Sequence, residues 1–268
     1  MTILASPATA EPVPIPGELS PPGTPRPDLC LRPEDIPNLD QFVIEDGKPV
    51  DGIVSEKQMR LLTEPLYSSW SGPSGGRPFV AMANVGVFHT VHEPPIVPDV
   101  LFAEGVRQGS DITKKENLSY FVWLRGKVPD VAIEIVSNRE GGEDTSKLEI
   151  YARIRVLYYV IFDPENDLCG GVLRVFVLRE GEYVPLSGPW FFEKIGLGLR
   201  LWQGRFEDLE LNWLRWCDRE GKVIPTGAEL AAQERQRAEQ ERQRADAALR
   251  QVEELKAQLR ARGAELSS

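Results

Sequence analysis

The sequence predicts a mixed α/β fold, and two groups of segments support this prediction. Residues 131–136 (VAIEIV) and 156–162 are apolar enough to be buried strands, and residues 145–155 between them fit a helix. Strand, helix and strand within about thirty residues are typical of a parallel β-α-β unit. Two later segments, 173–178 and 182–186, predict an antiparallel hairpin. The sheet is therefore expected to contain both parallel and antiparallel strands.

The remaining elements of the fold are predicted on either side of this unit. Residues 42–50 fit a hairpin that turns at an Asp-Gly pair, and Ser55 is a candidate N-cap for the helix that follows. Residues 79–91 and 96–102 are apolar and predict further strands. The tryptophan-rich segment 202–216 is expected to end the domain by packing back onto it.

Composition divides the chain into three parts. The first, residues 1–40, is a leader: residues 7–37 hold ten of the 22 prolines, which favours an extended tether over helix or central strand. Residues 41–218 are expected to form the α/β domain. Residues 229–268 contain eight acidic and eight basic residues, so the net charge of −10 lies entirely in what precedes them.

The C-terminal part repeats every seven residues, as in ERQRAEQ followed by ERQRADA. One heptad position is small or apolar throughout: Ala231, Ala238, Ala245, Val252, Leu259 and Leu266. The second seam of a coiled coil is apolar only at Ala248 and Leu255. This pattern predicts a long solvated helix that pairs as a coiled coil, with a second copy of the chain or another protein as its partner.

Composition also narrows the class of protein. No segment approaches the ~20 apolar residues of a membrane span, and the first residues lack the basic start of a secretory signal. The three cysteines (Cys30, Cys169, Cys217) are too far apart for a zinc knuckle or a disulfide framework. We therefore expect a cytoplasmic protein with no membrane partner. The net charge of −10 argues against a strongly basic nucleic-acid surface but leaves room for local basic patches.

Acidic residues at strand positions form the candidate site. The tetrapeptide VPDV occurs twice and places Asp99 and Asp130 at strand starts, while Glu134 lies inside an apolar strand. A buried carboxylate is costly unless it is paired or binds a metal ion. Lys147 and Tyr151 share a helix face with Asp144 and follow the Glu134 strand closely. From spacing alone, a buried ion pair at Glu134 and a turn-capping role for Asp99 remain open alternatives.

Five short motifs in fixed order resemble the Uma-two family of bacterial endonucleases. They cover about residues 40–190 and read FVIEDGK, VPDVLF, PDVAIEIVS, DxxKxxxY and LYYVIFDP. The resemblance implies the PD-(D/E)xK, or restriction-endonuclease-like, fold: a mixed sheet flanked by helices with a metal-dependent phosphodiesterase site.

The same resemblance implies roles for individual residues. Asp99 and Glu134 would be ligands of Mg²⁺ or Mn²⁺, and the carbonyl of Ile135 would be the third ligand. The superfamily's usual lysine lies two residues after the acidic one, where this chain has Val136. Lys147 would replace it from the helix.

Two supporting residues are also implied. Tyr151 would support Lys147 or contact substrate, and Asp130 is a weaker candidate ligand.

Two functions from different classes follow from these observations. The first is metal-dependent hydrolysis of DNA phosphodiester bonds, for which the retained carboxylates argue. The second is a catalytically inactive nuclease-fold module that recruits partners through its coiled-coil tail. The acidic domain and the displaced lysine argue for this second function.

Overall fold

The computed structural model describes most of the chain, namely residues 31–38, 52–137 and 142–265. The hairpin predicted at 42–50 lies outside the described residues, as does most of the proline-rich leader. The described part of the leader holds one turn of 3₁₀ helix, Pro33–Asp35.

The described residues form eleven strands and four α-helices. The strands are β1 (Phe79–Ala83), β2 (Val87–Phe88), β3 (Val100–Glu104), β4 (Tyr120–Phe121), β5 (Val131–Ile135), β6 (Tyr158–Phe162), β7 (Leu173–Arg179), β8 (Glu182–Pro185), β9 (Trp190–Phe192), β10 (Leu197–Phe206) and β11 (Leu209–Cys217). The α-helices are α1 (Ile53–Ser68), α2 (Val122–Arg125), α3 (Ser146–Arg153) and α4 (Gly227–Glu265).

A six-stranded mixed sheet with the order β1-β3-β5-β6-β7-β8 forms the centre of the molecule. β5 and β6 are parallel and are connected through α3, which confirms the predicted β-α-β unit. The other neighbours in this sheet pair antiparallel, including the predicted β7–β8 hairpin. The mixed α/β class is therefore confirmed.

Layers cover both faces of the central sheet, which explains why β5 and β6 are buried along their whole length. On one face, α1 and the small sheet β9–β10–β11 pack against Ile133, Val160 and their neighbours. The side chain of Gln58 in α1 makes two hydrogen bonds with the backbone of Leu214, of 2.8 and 2.9 Å. The tryptophan-rich segment thus packs back onto the domain as predicted.

The opposite face of the sheet is covered by α3. Tyr151 of this helix and Ile154, which follows its last residue, pack with Ala132, Tyr159 and Ile161 of the central strands. Because side chains alternate along a strand, Ala132 and Glu134 both point to the α3 face. This placement brings α3 over the carboxyl end of β5.

Two predicted boundaries are wrong, each for a backbone reason. The first helical hydrogen bond runs from the Glu56 N–H to the Gly52 carbonyl (3.1 Å), so Gly52 caps α1 and Ser55 is a buried residue of its first turn. The strand predicted from residue 96 begins at Val100. Pro98 has no N–H to donate to a ladder, and Ile96 forms only an isolated bridge.

Within the part of the chain that the structure describes, the C-terminal helix α4 contacts the domain at its start. Thr226 and Glu229 form a capping box: the Thr226 Oγ1 accepts from the Glu229 N–H (3.1 Å), and the Glu229 carboxylate accepts from the Thr226 N–H (2.8 Å). Glu229 also pairs with the buried Arg215 at 2.7 Å. Residues 232–260 are exposed along the whole described length. Among the described residues, no helix is both long and apolar enough to cross a membrane.

Candidate active site

The candidate site lies where the start of β3 meets the end of β5. These strands are antiparallel, with Val100 opposite Ile133, so Asp99 lies beside the last residues of β5. The Ile135 N–H donates to the Asp99 carboxylate at 2.6 Å. Because the N–H and C=O of a strand residue point to the same side, the Ile135 carbonyl also faces the Asp99 side of the strand.

The Glu134 carboxylate lies beside this contact and is fully buried. One oxygen accepts a hydrogen bond from the Lys147 ammonium at 2.8 Å, and the other accepts from the Tyr151 hydroxyl at 2.6 Å. Lys147 and Tyr151 are four residues apart on α3, so one helix face presents both donors to the carboxylate. The structure thus brings Asp99, Glu134, Ile135, Lys147 and Tyr151 together.

Burial and a neighbouring charge control the ionisation of Glu134. Desolvation, followed by the nearby Asp99 carboxylate, raises the pKa of Glu134 to about 8, although Lys147 and Tyr151 oppose the shift. Burial favours the neutral form of Lys147, but the carboxylates of Glu134 and Glu143 outweigh it and raise its pKa. Lys147 is therefore an ammonium ion at neutral pH, whereas Glu134 is near its titration point.

The donor set fits a hard divalent cation. Asp99 and Glu134 supply carboxylate oxygens, and the Ile135 carbonyl supplies a third oxygen of the kind that Mg²⁺ and Mn²⁺ prefer. Two carboxylates this close repel each other, and a cation between them would relieve that repulsion. Within the described ranges, no cluster of three or more His, Cys, Asp or Glu residues is arranged to hold a metal ion. The remaining ligands would thus come from backbone, water or substrate oxygens.

The structure does not bring Asp130 to this site. Asp130 lies at the start of β5, four residues or about 13 Å from Glu134 along the strand. Its carboxylate contacts Lys127 at 2.7 Å, Lys194 at 3.5 Å and the Glu104 N–H at 2.8 Å. The side chains of Asp130 and Glu134 point to the same face of the sheet but lie at opposite ends of the β3–β5 ladder, and the cations that contact Asp130 do not reach Glu134.

Sequence reasoning missed Glu143 as a member of the site. Its side chain is buried and contacts the Lys147 ammonium at 3.2 Å, while its backbone carbonyl accepts from the Tyr159 hydroxyl at 2.6 Å. Glu143 precedes Lys147 by four residues, a spacing that could have indicated the contact. The glycines before it instead favoured a loop.

A comparison with models of protein families places the chain in one family. The Uma2 family model, whose description is "Putative restriction endonuclease", matches residues 42–193, more than half of the chain. The matched range contains every candidate site residue, and the match to this family supports a nuclease function in general terms. A comparison with curated proteins found no match.

Proposed function

Because the chain belongs to the Uma2 family of restriction-endonuclease-like proteins, we propose that it hydrolyses DNA phosphodiester bonds with Mg²⁺ or Mn²⁺. One observation supports this proposal most: the fully buried Glu134 carboxylate lies next to Asp99 at a strand end and accepts from the Lys147 ammonium at 2.8 Å. Two carboxylates can hold a divalent cation, and an ammonium beside them can stabilise the negative charge that develops in phosphodiester hydrolysis.

In this proposal Asp99, Glu134 and the Ile135 carbonyl hold the cation. A bound divalent cation would lower the pKa of a water molecule and offset negative charge on a phosphoryl oxygen. In the hydrolysis, a water oxygen bonds to phosphorus, one P–O ester bond breaks, and the departing oxygen takes up a proton. Asp99 also accepts the Ile135 N–H, which fixes the orientation of its carboxylate.

Lys147 contributes charge and not base catalysis. Its raised pKa keeps it protonated, so it cannot accept the proton of the attacking water. With 26% of its side chain exposed, the ammonium can donate to a non-bridging phosphate oxygen as negative charge develops there. Tyr151 is a positioning residue, because its hydroxyl donates to Glu134 and fixes that carboxylate.

The alternative function is an inactive nuclease-fold module. Lys147 is already paired with both Glu134 and Glu143, as a purely structural ion pair would be. The chain also carries a net charge of −10. In that case the fold would only present the C-terminal helix to a partner.

A cleavage assay separates the two functions. The full chain is incubated with plasmid and single-stranded DNA in Mg²⁺, Mn²⁺ or EDTA, alongside Glu134→Ala, Lys147→Ala and the control Glu149→Ala. Glu149 is an exposed carboxylate on the same helix as Lys147. We expect metal-dependent cleavage by the wild type and the control only. No cleavage by the wild type with either metal would favour the inactive module, and full activity of Glu134→Ala would place the active site elsewhere.

We further propose that α4 associates with a second copy of the chain or with another protein. The exposed Val252, Leu255 and Leu259 lie three to four residues apart, so they share one face of the helix. Truncation after residue 233 keeps Glu229 in contact with Arg215 and should lower the molar mass measured by light scattering without unfolding the domain. An unchanged mass would exclude self-association through α4.

We also propose a cytoplasmic location for the protein, which rests on its composition.

A further inference from the structure

Arg174 lies beside the candidate site, two strands away from Glu134. In the sheet register, Glu134 of β5 is opposite Ile161 of β6, and Ile161 is opposite Arg174 of β7. Residues opposite one another in a ladder point to the same face, so Arg174 projects towards the α3 side like Glu134. Two strand spacings separate the two Cα atoms by about 10 Å.

The hydrogen-bonding capacity of Arg174 is largely unused. Its guanidinium makes one long contact, from Nη1 to the Asp144 carboxylate at 3.4 Å. Its Nε and Nη2 are buried, and within the described part of the chain they have no hydrogen-bond partner. A well-formed arginine–carboxylate pair would use two parallel N–H donors, and buried donors without acceptors are costly. A structural ion pair alone therefore does not account for this geometry.

A glycine allows Arg174 to lie in this position. A Cβ atom added at Gly170 would come within 2.7 Å of the Arg174 Cζ, so any larger residue would displace the guanidinium. Asp144, which precedes α3, contacts the guanidinium and is only partly buried. Arg174 thus lies against a close backbone segment and beside a carboxylate that a competing anion could replace.

We propose that Arg174 binds the DNA backbone phosphate next to the scissile phosphate, and that Asp144 pairs with Arg174 until substrate arrives. The planar guanidinium fork matches two phosphate oxygens, which would satisfy the N–H groups that Asp144 leaves unused. Arg174 and Glu134 lie at the same end of their strands. A phosphate bound by Arg174 would therefore extend the substrate contacts beyond Glu134, on the side away from Asp99. This inference rests on the proposed nuclease function.

The test measures DNA binding separately from cleavage. A fluorescently labelled duplex is titrated with the full chain in Ca²⁺ at several salt concentrations, and gel electrophoresis checks that the duplex stays intact. The variants are Arg174→Ala, Arg174→Lys, Asp144→Asn and the Asp144→Asn/Arg174→Ala double variant. The matched control is Arg179→Ala, an exposed arginine at the far end of β7. Thermal unfolding of each variant shows whether it is folded.

Loss of one phosphate contact has a defined signature. Arg174→Ala should raise Kd about tenfold and make the salt dependence shallower by about 0.9 on a log–log plot. Arg174→Lys should recover part of the loss. Asp144→Asn should lower Kd about threefold, because Arg174 would no longer have to leave the Asp144 carboxylate before it binds phosphate. The double variant should bind no tighter than Arg174→Ala.

Three outcomes would overturn the inference. If the wild type binds and cuts DNA but Arg174→Ala keeps its Kd and salt slope, Arg174 has no phosphate role and the nuclease proposal is untouched. If Asp144→Asn tightens binding equally without Arg174, its effect is general electrostatics and the holding role is wrong. If the wild type neither binds nor cuts DNA, the proposed function fails first and this inference fails with it.

Discussion

The two ends of the β3–β5 ladder contain the same types of residue but differ in how these residues are paired. At one end Asp99 and Glu134 lie beside Lys147, and at the other Glu104 and Asp130 lie beside Lys127. Each end therefore places two buried carboxylates of the ladder beside a lysine. The two ends differ in the other charged groups that surround these residues and in how exposed the lysine is.

At the Asp130 end the carboxylates are surrounded by cations. Lys127 and Lys194 contact Asp130, and Arg77 contacts Glu104 at 2.8 Å. The Lys127 side chain is only 10% exposed and also donates to the Glu104 carbonyl at 2.9 Å. This arrangement is typical of a structural ion-pair network, because every charge has a close partner of opposite sign.

At the Glu134 end three carboxylates interact with the same lysine. Lys147 is close to Glu134, Glu143 and Asp99, and its side chain is more exposed than that of Lys127. The pKa of Glu134 remains raised to about 8 despite its two hydrogen-bond donors. Burial also raises the pKa of Glu104 at the other end, where Arg77, Lys127 and Lys194 oppose the shift. The two ends therefore differ in the cations that the described residues place around their carboxylates.

The largest expected difference between the two ends is in DNA cleavage. Glu134→Gln should lower the cleavage rate at least ~10³-fold, since loss of metal-based charge stabilisation costs several kcal/mol and each 1.4 kcal/mol is a factor of ten. Asp130→Asn should keep the rate within about threefold per folded molecule, because it lies about 13 Å from Glu134. Plasmid nicking at matched folded concentrations measures both. Equal losses would show that the ends do not differ in function.

The next largest difference is in the free energy of unfolding. Lys127→Ala should lower it by about 3 kcal/mol, because it leaves the buried Asp130 without its closest cation. Lys147→Ala should cost only about 1 kcal/mol at pH 7. Glu134 has a pKa near 8, so a proton can replace the lost ammonium with little work. Urea denaturation measures both values. A cost for Lys147→Ala as large as that for Lys127→Ala would identify Glu134 as a structural ion pair.

A smaller effect is expected from the tyrosine that orients Glu134. Tyr151→Phe removes the hydroxyl that donates to Glu134 at 2.6 Å and should weaken Mn²⁺ binding about tenfold. Tyr183→Phe is the matched control, since its hydroxyl donates to the Val156 carbonyl and not to the site. Isothermal titration calorimetry with Mn²⁺ compares the two variants. Equal affinities would mean that Tyr151 does not position a metal ligand.

Much of the fold was predictable because its signals are local. The apolar run with one charge identified β5, and the helix-strand sequence after it identified the parallel pairing with β6. The proximity of Lys147 to Glu134 also followed, because the helix begins shortly after the Glu134 strand. Tyr151 was expected to support Lys147 or to contact substrate, and its hydroxyl donates to Glu134 instead. The boundaries of α1 and β3 were wrong because they depend on a glycine cap and a proline break, which periodicity does not register.

The rest of the site depends on strand register, which the sequence does not specify. Asp130 and Glu134 are four residues apart in the sequence. The antiparallel strand β3 places Asp99 beside Glu134 and Glu104 beside Asp130. Arg174 is forty residues from Glu134 and reaches its neighbourhood only through the β6–β7 pairing. Contacts that arise between strands distant in sequence could not be read from spacing.

Binding of Mn²⁺ as a function of pH tests most directly whether the Glu134 end holds a divalent cation. The cation binds ionised Glu134, so a proton must leave below pH 8, and the apparent affinity should rise about tenfold per pH unit and level off above about 8. Calorimetry in buffers of different ionisation enthalpy should record about one proton released at pH 7. Binding should disappear in Glu134→Gln and persist in Asp130→Asn. Equal Mn²⁺ binding by wild type and Glu134→Gln, with no proton release, would show that the Glu134 end does not hold the cation.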